Sequence, residues 1–549
     1  MVMLTYAINE INEILGKQIN TKKYEDVSFK YGLDLEVGKD VLNFELTSDR
    51  VDIVSKYSLS NVLAAGLDIS IKRDKNIGNE SPGIIIEKTY RPFVNILHVK
   101  LVNKLGEDIT EIIKMQERLD KNVGRNRKKA AIGIFDYNKI DFPIRYHMEK
   151  SKNINFSPLG YDSKKTYIEI INGLDKGKEY KELLGKEPII WSDSKKEIIA
   201  MPPIINSNFH SVTKETKDLL IDITGTDAST VNAVTKILLY NFQFIGRVSI
   251  LSAIYKENKI NPQFSLDTHK FVLSEDSVKS VLGCHVSANQ IARILKCMDY
   301  SVKVSGKDIA VEPPFYRQDI MHQVDIIDDV MRSIGVENIP SITPHSYTEG
   351  GNLQDHYSIN NIKEVMLGFG YLEIDINTLT NERYQFGDTY IKGENYASLM
   401  HLKSGEVTMA SKNIFPELLR LISNNLHKKF PQNIFSLSDV VVIGGSEVGF
   451  NNSKRLSIVS CSKDVNVTEI LSIVKKVLSD SFSLDNLKTK YNGEELSKTF
   501  IPGRGYDLFI GKNKIGFAGE VHPRVLNSFG IELPIAIAEI YIGDILYEL

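Results

Sequence analysis

The stretch MPPIINSNFHSVTKETKDLLIDITGTD, residues 201–227, decides how the chain is read. Successive side chains of a strand point to opposite faces. In LLIDIT this puts Leu220, Asp222 and Thr224 on one face and Leu219, Ile221 and Ile223 on the other. The second face is core. The first reads in one of two ways: as the lining of a polar pocket opened toward the turn Pro202-Pro203-Ile204-Ile205-Asn206, or as the outward side of a half-buried strand.

Outward from this strand, the run VNILHVKLV (94–102) is strand-like and DITEIIKMQERLDKNV (108–123) is helical. Mixed in this way they predict an α+β unit. The following KNVGRNRKKAAIGIFD collects Lys121, Arg125, Arg127, Lys128 and Lys129 before a buried-looking strand. That cluster suits RNA phosphates or an ordinary solvated face. His210 has no His, Cys or carboxylate beside it and reads as a surface residue.

At 549 residues the chain is too long for one core, and breakers mark where it divides. They are KRDKNIGNESPG (Lys72 to Gly83), read as a linker or exposed loop, INPQF around Pro262, and SITPHSYTEGGN (Ser341 to Asn352). Four domains follow: 1–83, 84–262, 263–343 and 344–549. The opening MVMLTYAINEINEILGKQI spaces Glu10 and Glu13 as in an amphipathic helix rather than a signal peptide. In the third domain Ser287 and Gln290 form an S-x-x-Q capping box, and YSVKV supplies a short strand, as in a small helical domain with a β wing. In the fourth, Phe415, Leu418, Leu419, Ile422 and Leu426 mark a core-facing helix among the strands DVVVIGG, RLSIVSC and GYDLFIG.

Apolar residues at 42% and charged residues at 25% are ordinary for a globular chain, and the net charge of -3 offers no global attraction for phosphate. The three cysteines, Cys284, Cys297 and Cys461, form no CxxC pair, which argues against a disulfide framework or a thiolate zinc site. No uncharged apolar run reaches the ~20 residues that span a bilayer. A cytoplasmic protein is expected. GxxxxGK[ST], HExxH, GxSxG and GxGxxG motifs are missing.

The acidic segment YRQDIMHQVDIIDDVMRSIG sets Asp325, Asp328 and Asp329 on one helical face, with Asp319 six residues before them. From spacing alone the stripe is more readily a solvated face near a helix start than a cation seat. All-oxygen ligands would select a hard cation such as Mg²⁺.

Taken in order, these segments resemble the β subunit of phenylalanine-tRNA ligase of the archaeal and eukaryotic cytosolic type, over nearly the whole chain. KYEDVSFKYGLDLE resembles the opening domain, and ELTSDRVDIVS the family's Asn-Arg-Pro-Asp pattern, with Asp49 and Val51 in place of Asn and Pro. RKKAAIGIFD, DKGKEY and MPPIINS resemble its editing domain, with Ala200 where many relatives carry Ser. DIIDDVMRSIGVENIP resembles the magnesium-binding, winged-helix-like domain. FPELLRLISNN, NIFSLSDVVVIG, PGRGYDLFIG and GFAGEVHP resemble a class II synthetase-like antiparallel-sheet domain lacking its own active site, with Ser436 where the family has Glu.

The resemblance implies an α+β multidomain fold that begins with an N-terminal α/β domain. It implies Asp319, Asp325, Asp328 and Asp329 as Mg²⁺ ligands, and Asn206, Asp222 and Thr224 as the lining of an editing pocket that hydrolyses mischarged tyrosyl-tRNA. ATP and phenylalanine would be bound by an α subunit in an α2β2 heterotetramer that charges the tRNA for phenylalanine. Two rivals are a freestanding deacylase and a structural subunit without editing.

Overall fold

In a computed structural model, residues 2–256, 264–343, 348–400, 405–491 and 496–548 are described. The break expected around Pro262, and residues 344–347 of the break expected at 341–352, lie outside them. The chain divides into two compact units, Met1–Pro344 and His345–Leu549.

The first unit opens with a three-stranded antiparallel sheet, in the order Val2–Ala7, Val41–Leu46, Asp34–Val37. The amphipathic helix expected from the first residue starts only at Ile8 and ends at Leu15. The apolar VMLTYA before it alternates, so that Leu4 and Tyr6 are buried while Met3 is exposed; this is the period of a strand. The helices Thr21–Tyr31 and Lys56–Gly66 add Tyr24, Val27, Leu59 and Leu63 to the same core.

Next comes a five-stranded sheet, in the order Ile77–Glu80, Gly246–Leu251, Phe93–Leu101, Asp218–Gly225, Ala130–Asp136. The segment read as a linker at 72–83 thus contains an edge strand, paired in parallel with Gly246–Leu251. Its Gly, Asn and Glu content fits an edge position, where packing demands little. The helices Asp108–Lys121 and Ala228–Phe242 cover one face, where Leu219, Ile221 and Ile223 meet Ile112, Met115 and Leu238. A six-stranded sheet covers the other, and there Leu220, Val94 and Phe135 pack with Tyr146, Trp191 and Ile199. Asp218–Gly225 is therefore buried on both faces, and the face that carries Asp222 is not outward.

Residues 271–336 form a three-stranded antiparallel sheet (Phe271–Ser274, Asp308–Glu312, Ser301–Ser305) with the helices Glu275–Leu282, Ala288–Cys297 and Gln323–Ile334. The capping box of Ser287 and Gln290 is formed.

The second unit is built on a seven-stranded sheet with Gln432–Ile443, Phe450–Cys461, Ile535–Tyr541 and Asn513–Val521 at its centre. The helix Phe415–Asn424 packs Phe415, Leu418, Leu419 and Ile422 on one face. Leu426 lies beyond its end and is 40% exposed, which corrects the expected five-residue stripe. The helices Gln354–Gly368 and Val467–Phe482 cover the other face through Ile362, Met366, Ile470 and Val474.

Inside this sheet Glu539 is fully buried. It accepts from the backbone N–H groups of Ile414 (2.9 Å) and Phe415 (3.0 Å) and from the Arg455 guanidinium (3.1 Å). Burial pushes its carboxyl up, and the arginine pulls it back. Removing one partner of a buried pair strands the other charge, at about 3–5 kcal/mol. Glu539→Ala is therefore expected to lower the urea midpoint of hydrogen-exchange protection across Phe450–Cys461. An unchanged midpoint would show that the pair holds nothing.

Candidate functional site

The turn at 201–206, the strand Asp218–Gly225, the strand Ala130–Asp136 and the helix Asp108–Lys121 enclose a cavity of about 360 Å³. Asn206, Asp222 and Thr224 all line it. Its walls are mainly apolar, with Ile109, Ile112, Ile132, Pro203, Ile204 and Val212 among them. A small number of polar groups in an apolar cleft is the usual makeup of a ligand site.

Asp222 is 3% exposed and Thr224 is fully buried. The Trp191 indole N–H donates to Asp222 Oδ2 at 2.8 Å. Asp222 Oδ1 and Thr224 Oγ1 have no hydrogen-bond partner among the described residues. Gly133 lies opposite Asp222 in the adjacent strand, and a Cβ there would fall 2.0 Å from Oδ1. A glycine is required at that position. Burial pushes the Asp222 carboxyl up to about 7, against the pull of the indole N–H. Near neutral pH it therefore stands between its neutral and charged forms.

Behind this floor, the buried Arg91 donates to the Thr224 carbonyl at 2.9 Å and to the Lys128 carbonyl at 3.2 Å. Arg127 fixes the turn, donating to the carbonyls of Pro203 (2.9 Å) and Ile204 (3.1 Å) while pairing with Asp120 at 3.0 Å. One member of the basic run is thus committed to shaping the pocket, while Lys121, Arg125, Lys128 and Lys129 are exposed. Trp191, Gly133 and Arg91 are not legible from local sequence; the sole tryptophan of the chain, on a strand, is the one signal that points toward them. His210 is a correction: it is 1% exposed, and neither ring nitrogen has a partner among the described residues. Burial lowers its pKa.

The four aspartates of the acidic segment do not share one ligand position. Arg317 binds Asp319 (2.6 Å) and Asp329 (2.7 Å), and Tyr300 also donates to Asp329. Asp325 instead caps its helix, accepting from the N–H groups of Met321 and His322 at 2.8 Å each. Asp328 pairs with Arg332 at 2.6 Å. Among the described residues no three His, Cys, Asp or Glu side chains are grouped for a metal. The helical stripe is correct in register, but Asp329 faces a buried arginine rather than solvent. Arg317, a single positive charge, holds two of the four carboxylates, and Asp325 and Asp328 have partners of their own, so in this arrangement the four side chains do not converge on a cation.

Three family descriptions match consecutive parts of the chain: "B3/4 domain" at 90–241, "tRNA synthetase B5 domain" at 271–336 and "Phenylalanyl tRNA synthetase beta chain CLM domain" at 339–542. The phenylalanine-tRNA ligase beta subunit of Archaeoglobus fulgidus is 34% identical over 523 residues, 93% of this chain and 92% of its own. The chain belongs to the phenylalanine-tRNA ligase beta-subunit family.

Beta subunits of Methanocella arvoryzae (31% identical; 99% of this chain, 100% of that one) and Saccharolobus islandicus (30%; 99% and 98%) match as well. An N-terminal fragment of the phenylalanyl-tRNA synthetase beta subunit of Pyrococcus horikoshii superimposes with a TM-score of 0.55 at 25% identity, covering 60% of this chain and 99% of the fragment. As a ligase beta subunit, the chain is a component of an aminoacyl-tRNA ligase. The cavity lies within its B3/4 match and the acidic helix within its B5 match.

These charges can be tested in two ways. The pKa of Asp222 is raised on folding, so its contribution to stability is complete below about pH 4 and is lost as pH rises through about 7. Hydrogen exchange in the Asp218–Gly225 strand is expected to show stability falling from pH 5 to 8 in wild type and a flatter profile in Asp222→Asn; identical profiles would contradict this. Calorimetric titration with Mg²⁺ is expected to give the same isotherm for wild type and Asp328→Ala, whereas different isotherms would show the carboxylates regrouping around a cation.

Proposed function

We propose that the cavity at Asn206, Asp222 and Thr224 is a hydrolytic sorting site that removes tyrosine wrongly attached to the tRNA for phenylalanine. One observation carries the reading: two buried oxygens, Asp222 Oδ1 and Thr224 Oγ1, lack protein partners among the described residues inside a mainly apolar cavity. A buried polar group without a partner costs about 1–3 kcal/mol, which a ligand hydroxyl would relieve and a phenyl ring would not. The physical need is clear, since an apolar synthetic pocket rejects an added hydroxyl by only about a hundredfold.

Among the described residues neither His210 nitrogen meets a hydroxyl or thiol, so no Ser-His or Cys-His nucleophile is formed there. Hydrolysis then uses a positioned water, with Asn206 and Asp222 orienting the substrate.

Amino-acid activation, with ATP and phenylalanine, falls to an α subunit in an α2β2 assembly, and the unit at 345–549 acts as scaffold. Both faces of its sheet are covered by its own helices, and the Arg455–Glu539 pair occupies its interior. Exposed Leu353, Tyr357, Leu367 and Leu372, each more than half accessible, give this unit apolar surface for a partner.

The test is deacylation of tyrosyl- and phenylalanyl-tRNA for phenylalanine by wild type, Asp222→Asn and Thr224→Val. Wild type is expected to prefer the tyrosyl ester by at least about a hundredfold. Each substitution is expected to cost tyrosyl hydrolysis about tenfold, the equivalent of one hydrogen bond. Equal rates in all three proteins would remove the assignment.

A further inference from the structure

A second and larger depression, about 1090 Å³, lies in the same unit and away from the sorting cavity. Its lining comes from three segments, residues 61–75, residues 100–102 with 243–247, and residues 293–299. It is strongly basic in a chain whose net charge is -3. Three of its cations are engaged: Arg73 and Lys75 pair with Asp299 at 2.9 and 3.0 Å, and Arg247 pairs with Asp74 at 3.4 Å. Four others, Lys72, Lys100, Arg293 and Lys296, line the groove exposed, with no ion pair or side-chain hydrogen bond to a described residue.

The floor is rigid. The Arg73 side chain is 6% exposed and lies over the rings of Tyr240 (5.0 Å), Phe244 and Tyr316 (5.7 Å each). Its Nε and Nη1 are buried without a hydrogen-bond partner among the described residues. The rigidly held guanidinium adds its charge to that of four exposed cations without carboxylate partners among the described residues, and together they suit anionic oxygens. The volume exceeds the ~300 Å³ at which small-molecule clefts begin by a wide margin, and the free charges come from three separate segments of the chain. A groove of this size with four free cations suits several phosphates better than a single anion.

We infer that this groove holds the phosphate backbone of an RNA, and that Lys72, Lys100, Arg293 and Lys296 contact successive phosphates while Arg73 anchors the floor. The inference rests on the proposed reading only in identifying that RNA as the aminoacylated tRNA. Phosphate binding of this kind carries no sequence information and makes affinity fall with salt.

The experiment measures fluorescence anisotropy of an unmodified tRNA transcript with the full-length chain, across a series of KCl concentrations. Lys72→Glu, Lys100→Glu and the double variant Arg293→Glu/Lys296→Glu are compared with wild type. Each reversal is expected to weaken binding at least about fivefold and to reduce the slope of log affinity against log salt by about one for every phosphate that is no longer neutralised. Arg293→Gln/Lys296→Gln is expected to fall between the double reversal and wild type. Lys303→Glu, on the exposed hairpin of 301–312, serves as the control and is expected to match wild type in both.

Hydrolysis of a tyrosyl ester of adenosine, which carries no phosphate, is expected to proceed at the wild-type rate in every groove variant. Affinity and salt slope unchanged in all the groove variants would overturn the inference, as would a wild-type chain that fails to bind the transcript. Failure of wild type to cleave the tyrosyl ester would instead count against the sorting site and leave the groove result standing.

Discussion

A single buried hydrogen bond, from the Trp191 indole to the Asp222 carboxylate, sets the character of the cavity and joins the two sheets that form it. Asp222 stands on an interior strand of the five-stranded sheet and Trp191 on the sheet packed against it. Because the indole saturates only one carboxyl oxygen, the other remains available beside Gly133, and desolvation keeps the group near the midpoint of its titration. Arg91 and Arg127 then hold the floor and the Pro202–Asn206 turn through carbonyl contacts, so the polar atoms occupy fixed positions.

Much of the architecture is legible in the sequence because local period and burial agree. The run at 94–102 forms part of the strand Phe93–Leu101, that at 108–123 the helix Asp108–Lys121, and the apolar stripe from Phe415 a helix on the sheet of the second unit. Legibility fails where tertiary pairing overrides composition. Ile77–Glu80 is a strand because Gly246–Leu251 offers a free edge to it, a partner about 170 residues away that no window around residues 72–83 contains. Likewise, alternation in LLIDIT defines two faces but cannot say that a second sheet covers the polar one.

The site shows the same division. Asn206, Asp222 and Thr224 are legible because strand alternation and a turn point at a common space, and they do line one cavity. The acidic helix is legible in register alone. The partner of Asp329, Arg317, sits 12 residues before it and outside the helix, and ties it to Asp319, while Asp325 and Asp328 find partners of their own. His210 is misread for a related reason: no His, Cys or carboxylate stands beside it in sequence, yet the fold buries it.

The central claim is that the cavity discriminates by the ligand hydroxyl that partners its own buried oxygens. The most direct measurement is the affinity of the full-length chain for two non-hydrolysable ligands, 3′-amide-linked tyrosyl-adenosine and phenylalanyl-adenosine. Tighter binding of the tyrosyl ligand by about tenfold or more is predicted, with the preference abolished in Thr224→Val combined with Asp222→Asn. Equal affinity of wild type for the two ligands would contradict the account.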